Sequence, residues 1–396
     1  MTCWASSSNS ARALTRVLCA ALCGCAATAA KGPAATPAAG ARSVKAGTAP
    51  PPLRRFAVFP LVNAAGVVAP MRDIGAALRS QLEKQGIPFV EGAPVDDFLA
   101  RHRIRYTGGL DAATAVLASR ELGVDQVLIT TVVAVAREPM PRLSVEARLV
   151  TAADDPRIVW AGGFSRLGDE SPGAFELGVI RDFDELAARG FAGVARSLAA
   201  LARHEQAPPV VCPPAGRFRP RSSYRSAALD FSAPRTIAVL PFQNLTRRRN
   251  AGDVVSLAFV RQLQSLSSVR VTEPGVLRDD LLRFRVVLQG GISLDVARMT
   301  MELVHADLAL TGVVRSFDDA LNADGVPRLE YTVMLLDRRG DEVVWRSTSY
   351  SQGDDGVFFF DAGKVSTVGD LACRMAQSTV RAMVEQRPTP ARKIPR

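Results

Sequence analysis

The stretch FAVFPLVN at residues 56–63 returns as IAVLPFQN at residues 237–244. A chain that writes an apolar run, a proline and an asparagine twice in one order is expected to fold into two related units, and the spacing shows how far the relation extends. An offset of 181 carries Pro60 onto Pro241 and Asn63 onto Asn244. The same offset carries Ile74, Leu78 and Leu82 onto Val255, Phe259 and Leu263, an i, i+4, i+8 stripe that marks the buried face of a helix in both copies. An offset of 182 takes Gly108 and Gly109 to Gly290 and Gly291, and Asp125 to Asp307. Asp111 and Ser293 stand just before two further helical runs, where a short polar side chain caps free backbone N–H groups. At an offset of 185, RIVWAGGFSRLGDE (157–170) falls on EVVWRSTSYSQGDD (342–355), pairing Trp160 with Trp345.

Each copy therefore predicts one order of elements: a short buried strand, a long helix, a short strand, two helices, three strands and a closing helix. Pro60 and Pro241 lack an N–H and mark the end or an edge of the opening strand. Asn63 and Asn244 follow where the chain turns, a place that suits asparagine because it bonds its own backbone. Without glycines at phosphate-loop spacing and a following lysine, the phrase is not a nucleotide cradle. In LEYTVMLL, Leu329, Tyr331, Val333 and Leu335 line one face and Glu330 and Thr332 the other, the period of a half-buried antiparallel strand. The expected class is α+β, α/β-like in character: two tandem copies of a mixed-sheet domain with helices packed on the sheet. Composition shifts set the boundaries at a signal over 1–24, a flexible Ala/Gly/Pro/Thr tether over 25–52, a first domain over 53–206, a Pro/Arg-rich linker over 207–234, a second domain over 235–386 and a basic tail over 387–396.

At the N-terminus, Arg12 and Arg16 precede a short apolar run that ends in LCGC, residues 22–25. Leu22, Cys23, Gly24 and Cys25 resemble the bacterial lipobox position by position, which implies acylation of Cys25, and Ala26 in place of aspartate implies sorting to the outer membrane. After it no apolar run approaches the roughly 20 residues that cross a bilayer as a helix. Removal of the signal leaves Cys212 and Cys373 as the one remaining pair of thiols; an oxidising compartment permits a bridge between them, and spacing alone does not decide whether they meet. The net charge of +10 invites a nucleic-acid reading. Yet residues 56–206 carry 16 basic against 19 acidic side chains and residues 236–386 carry 17 against 19, so the excess belongs to linkers and tails. The basic, aromatic linker FRPRSSYR resembles a single-strand nucleic-acid binder in composition, but export removes that partner, and no nucleic acid is expected.

The pattern of IAVLPFQN, an amphipathic helix and then ADLALTGVV (306–314) resembles the periplasmic lipoprotein domains related to the curli secretion channel CsgG, the activator lipoproteins of penicillin-binding proteins and the amino-terminal domain of TolB. Pro241, Asn244, Ala306, Asp307, Leu310, Thr311, Gly312 and Val314 carry the likeness. The first copy carries it through Pro60 and Asn63, with Ile129 and Thr130 in place of Thr311 and Gly312. The resemblance implies a non-enzymatic envelope domain, tethered by lipid, that assembles with itself or docks other envelope proteins. No segment has the long alternating hairpins that line the CsgG pore.

Among residues that could do chemistry, acidic pairs stand at Asp154–Asp155, Asp169–Glu170, Asp318–Asp319 and Asp354–Asp355, mostly in expected turns. DDALNADG (318–325) has Ala320 where a calcium loop needs its first ligand, and reads as a hairpin connection. No serine sits in a nucleophile elbow, and His102, His204 and His305 have no recognisable partners in sequence. No metal centre and no cofactor are expected. Arg247, Arg248 and Arg249 follow the opening strand of the second copy only, and suit an anionic partner such as a carboxylate or phosphate group. The sequence thus predicts a non-enzymatic, outer-membrane-anchored periplasmic lipoprotein acting as a scaffold or adaptor by protein–protein docking. Its expected partners are other envelope proteins, the membrane through the N-terminal lipid, and further copies of itself. The alternatives are a component of a ring-forming secretion or export channel and, last, an envelope enzyme.

Overall fold

In a computed structural model, both copies of the opening phrase form a strand that breaks at its proline and then resumes along the same neighbour. The structure describes residues 54–170, 178–205, 212–213, 216–286, 292–319, 325–340, 342–357 and 363–385. Cys25, the expected signal and basic tail, and Gly290 and Gly291 lie outside the described residues. The first half runs β1 (Phe56–Val58), β2 (Val62–Asn63), α1 (Met71–Lys84), β3 (Phe89–Val90), α2 (Ala93–Arg101), α3 (Ala112–Leu122), β4 (Gln126–Ala136), β5 (Arg142–Thr151), β6 (Ile158–Leu167) and α4 (Phe183–Ala202). After β7 (Ser222–Arg225), the second half runs β8 (Arg235–Val239), β9 (Gln243–Asn244), α5 (Ala251–Gln264), β10 (Val269–Val271), α6 (Pro274–Arg283), α7 (Leu294–Leu303), β11 (Leu308–Asp318), β12 (Arg328–Asp337), β13 (Glu342–Gln352) and α8 (Val368–Glu385).

The two sheets share one strand order, β3-β1-β4-β5-β6 and β10-β8-β11-β12-β13, and β7 adds an edge strand to the second. The class is α+β, with parallel pairing at the opening strands and antiparallel pairing through the three long ones. Residues expected only as linker thus contribute to the second sheet, where Arg225 pairs with Trp345 and Ser222 with Thr348. Pro60 and Pro241 are exposed at the break between two short strands that both pair with the long neighbour. Asn63 and Asn244 then make one and the same turn. The Nδ2 of Asn63 donates to the Val67 carbonyl at 2.8 Å, and that of Asn244 to the Arg248 carbonyl at 2.7 Å. Asp125 and Asp307 pin the start of the long strands, accepting backbone N–H groups of Arg55 and Thr236 at 3.3 and 3.0 Å. Asp111 and Ser293 cap α3 and α7 through Thr114 and Val296.

The layers follow from which faces are apolar. Helices α1 and α4 cover one face of the first sheet, with Ile74, Leu78 and Leu82 essentially inaccessible, each worth about 1.5–3 kcal/mol of burial. Helices α5 and α8 occupy the space between the sheets. Their side chains share one core with Val127, Ile129 and Val133 of the first sheet and Leu329, Tyr331, Val333 and Trp345 of the second. Phe259 of α5 meets Tyr331 edge to face at 5.5 Å, and the Tyr331 hydroxyl lies 2.9 Å from Thr379 Oγ1 of α8. On the far face of the second sheet, α6 and α7 cover one end through Leu277, Leu281, Ala297 and Met301. The stack reads helices, sheet, helices, sheet.

Gly312 shows how the two halves settled the same contact differently. A Cβ there would lie 2.6 Å from the Phe242 ring and 2.8 Å from the Thr332 carbonyl, whereas the first half has Thr130 and the smaller Leu61 at the positions of Gly312 and Phe242. Gly312→Ala is expected to cost about 1–3 kcal/mol through overpacking, and less in a Phe242→Leu background. Urea denaturation of the two single variants and the double variant measures that coupling.

Candidate functional site

The chain's buried charges converge on the seam where the second half's helices meet the first sheet. In β5, residues 142, 144, 146, 148 and 150 point to one face, and their pattern Arg, Ser, Glu, Arg, Val reads as a solvent side. The second half covers it. Arg148, 4% exposed, sends Nε to Glu273 Oε2 at 2.9 Å and Nη2 to Glu273 Oε1 at 3.0 Å. Burial works against the Arg148 charge, but the Glu273 carboxylate outweighs it and raises the guanidinium pKa. Glu273 also caps α6 and accepts the Leu110 N–H at 3.2 Å, so one carboxylate ties both halves. At this point the backbones touch: a Cβ on Gly109 would lie 2.5 Å from Gly275 Cα.

A second ion pair crosses farther along the same face. Arg261 of α5 reaches Glu146 Oε1 at 3.1 Å and the Gly163 carbonyl at 3.2 Å; burial raises the Glu146 pKa in spite of this cation. Gln264 donates to the Ile158 carbonyl at 2.8 Å, and Thr367 Oγ1 lies 2.6 Å from Ser165 Oγ. Arg142 donates to the Asp319 carbonyl at 2.7 Å. Cys212 and Cys373 form a disulfide with Cα atoms 6.0 Å apart, joining the segment before β7 to α8.

Arg248, expected from sequence as a contact for an anionic partner, is engaged within the chain. It donates to the Ala64 carbonyl at 3.0 Å and the Val133 carbonyl at 2.7 Å, with its guanidinium 5.5 Å above the Phe317 ring. Arg247 and Arg249 on the same loop are exposed. The acidic pairs hold turns: Asp155 binds Arg157 and Arg270, Asp319 accepts the Val368 N–H at 3.0 Å, and Asp355 accepts the Gln352 N–H at 3.0 Å. His102 lies 2.6 Å from Glu121, while His204 and His305 sit at positive φ just past helix ends. Among the described residues no group of three His, Cys, Asp or Glu side chains could hold a metal ion. A cleft of about 250 Å³ at the seam is lined by Arg166, Arg189, Arg374, Glu170 and Asp370 among others, and these three arginines pair with acids of their own segments.

The corresponding face of the second sheet is open. Positions 328, 330, 332 and 334 of β12 answer to 142, 144, 146 and 148 of β5, through Met334↔Thr311 and Arg148↔Ile129. Arg142, Ser144 and Arg148 are each 5% exposed or less; Arg328 is exposed and Glu330, Thr332 and Met334 are half-buried. Arg346 is exposed beside them, and Tyr224 of β7 is 43% exposed.

Neither a protein-family model nor a curated protein matches the chain. Among solved structures, it is similar to the PelC dodecamer from Paraburkholderia phytofirmans, at 18% identity and a TM-score of 0.29 over 42% of this chain and 97% of that one. It is also similar to lipoprotein GNA1162 from Neisseria meningitidis, at 18% identity and a TM-score of 0.26 over 31% of this chain and 89% of that one. The LpoB C-terminal domain from Salmonella enterica is similar at 13% identity and a TM-score of 0.23, over 32% of this chain and 87% of that one. No described helix is long and apolar enough to cross a membrane.

Two stability outcomes follow from the seam. Arg148→Met leaves Glu273 buried without its cation and should cost about 3–5 kcal/mol; adding Glu273→Ala should restore all but the cap's share of about 1 kcal/mol, as read by chemical denaturation. Replacing Cys212 and Cys373 by serine opens a loop of 161 residues and should cost about 2–4 kcal/mol, with melting of the native chain becoming sensitive to reductant and that of the variant not.

Proposed function

We propose that this chain is a non-enzymatic lipoprotein, tethered through Cys25 to the periplasmic face of the outer membrane, that serves as a scaffold or adaptor by docking other envelope proteins. The observation that carries the reading is the lipobox-like LCGC ending at Cys25. It is supported by the seam: Arg148 with Glu273 and Arg261 with Glu146 bind one another and hold the halves together, and Cys212 and Cys373 are joined to each other. Arg247 and Arg249 stand exposed on their loop and are assigned to an anionic patch of a protein partner. The fold likeness to envelope lipoproteins agrees with this reading without carrying it.

The deciding experiment is the intact mass of the mature N-terminus isolated from membranes, for the native chain and for Cys25→Ala. A diacylated or triacylated Cys25 as first residue, lost in the variant, is the expected result. An unprocessed Met1 on a protein recovered without membranes would overturn the anchor and the compartment together.

A further inference from the structure

The two halves of this chain are packed head to tail. The first sheet receives α5, α8 and the Arg248 loop of the second half on one face, and carries α1 and α4 on the other. Such a contact joins two different surfaces, so it leaves one of each kind unpaired at the ends of the stack. One is the open face of the second sheet. The other is the outer face of α1 and α4, with the loop that precedes α1.

We propose that the open face of the second sheet is a docking site for the first half of another copy of this chain, entered by α1, α4 and the loop at Val67–Val68. The inference does not rest on the lipid anchor or the compartment. Continuity with the seam inside the chain carries it, because the paired positions change together. Arg261 against Glu146 becomes Ser80 against Thr332, charge replaced by hydroxyl on both sides. Leu257 and Ala161 line one gap of the seam; their counterparts Ala76 and Arg346 exchange which side is large. Glu83 stands at the position of Gln264, within the same patch as Arg346, and supplies the opposite charge.

The loops agree. The shared asparagine turn fixes Val67 as the counterpart of Arg248, since each gives its carbonyl to the asparagine four residues before it. Arg248 sits on Ala64, which is 5% exposed, and the counterpart of Ala64 is Leu245. Leu245 is 55% exposed on one end of the stack, while Val67 and Val68 are 52% and 98% exposed on the other. Apolar groups so placed cover one another when the same contact is repeated between chains. At the α4 end the match is looser. Gly369 lies against Ser144 and Ser165, whereas its counterpart Asp184 would meet Glu330 and Tyr350.

The test uses the full chain with Cys25→Ala, so that acyl chains do not cluster it, in sedimentation equilibrium over a concentration series. The native surface is expected to associate beyond a monomer. Leu245→Glu with Met334→Glu blocks the sheet face, and Val68→Glu with Ala77→Glu blocks the helix face; each variant alone should be monomeric, with at least a tenfold loss of affinity and an unchanged melting temperature. Mixed together, the two variants should form a one-to-one heterodimer, because each retains the face the other lacks. A native chain that stays monomeric throughout, blocked variants that still associate, or a mixture that fails to pair would each overturn the proposal.

Discussion

The structure depends on one pair of helices being buried on both sides. Most helices of a globular protein keep a polar face toward water. Helix α5 has Val255, Phe259 and Leu263 turned to its own sheet and Val254, Ala258 and Arg261 turned to the other, and ten of its fourteen residues are buried. A helix pair with two apolar faces cannot fold with one sheet alone without exposing the other face. The described parts of the two halves therefore form one compact unit rather than beads on a string.

That constraint explains the seam's charges. Arg148, Glu273, Arg261 and Glu146 are costly to bury singly and act as pairs, and they also bond backbone groups, Arg148 the Gly108 carbonyl, Glu273 the Gly275 N–H and Arg261 the Gly163 carbonyl across the seam. Charge pairs of this kind add little net stability compared with apolar side chains, but they penalise every misaligned register. Two related sheets and two related helix layers could pack in several wrong combinations. The placement of the charges selects one, since α1 of the first half offers Ser80 where α5 of the second half offers Arg261.

Much of the fold was legible from the residues themselves. The offsets of 181 to 185, the helix stripes at Ile74 and Val255, the caps at Asp111 and Ser293 and the long strands follow from local periodicity and turn chemistry, and the structure forms these elements in the expected order. The seam was not legible. Arginine and glutamate alternating with apolar residues in β5 look like a solvent face, because a period of two tells which residues share a side and not what covers it. Nor does a loop sequence reveal that Arg248 satisfies carbonyls of its own chain, a contact 184 residues distant in sequence from Ala64. The signal that could have exposed the seam was the difference between copies: charges at 146 and 148 against threonine and methionine at 332 and 334.

The disulfide has a temporal meaning as well as a structural one. Cys212 lies in the segment between the halves, and Cys373 lies in α8, the last of the described helices. The bond therefore cannot close until the whole second half is present and the chain has reached an oxidising environment. A chain cut short before α8 carries Cys212 as an odd thiol, open to mixed disulfides and to the machinery that recognises them. The bridge thus ties the earliest described residues of the segment between the halves to a helix made much later, so that segment is fixed only once α8 is in place.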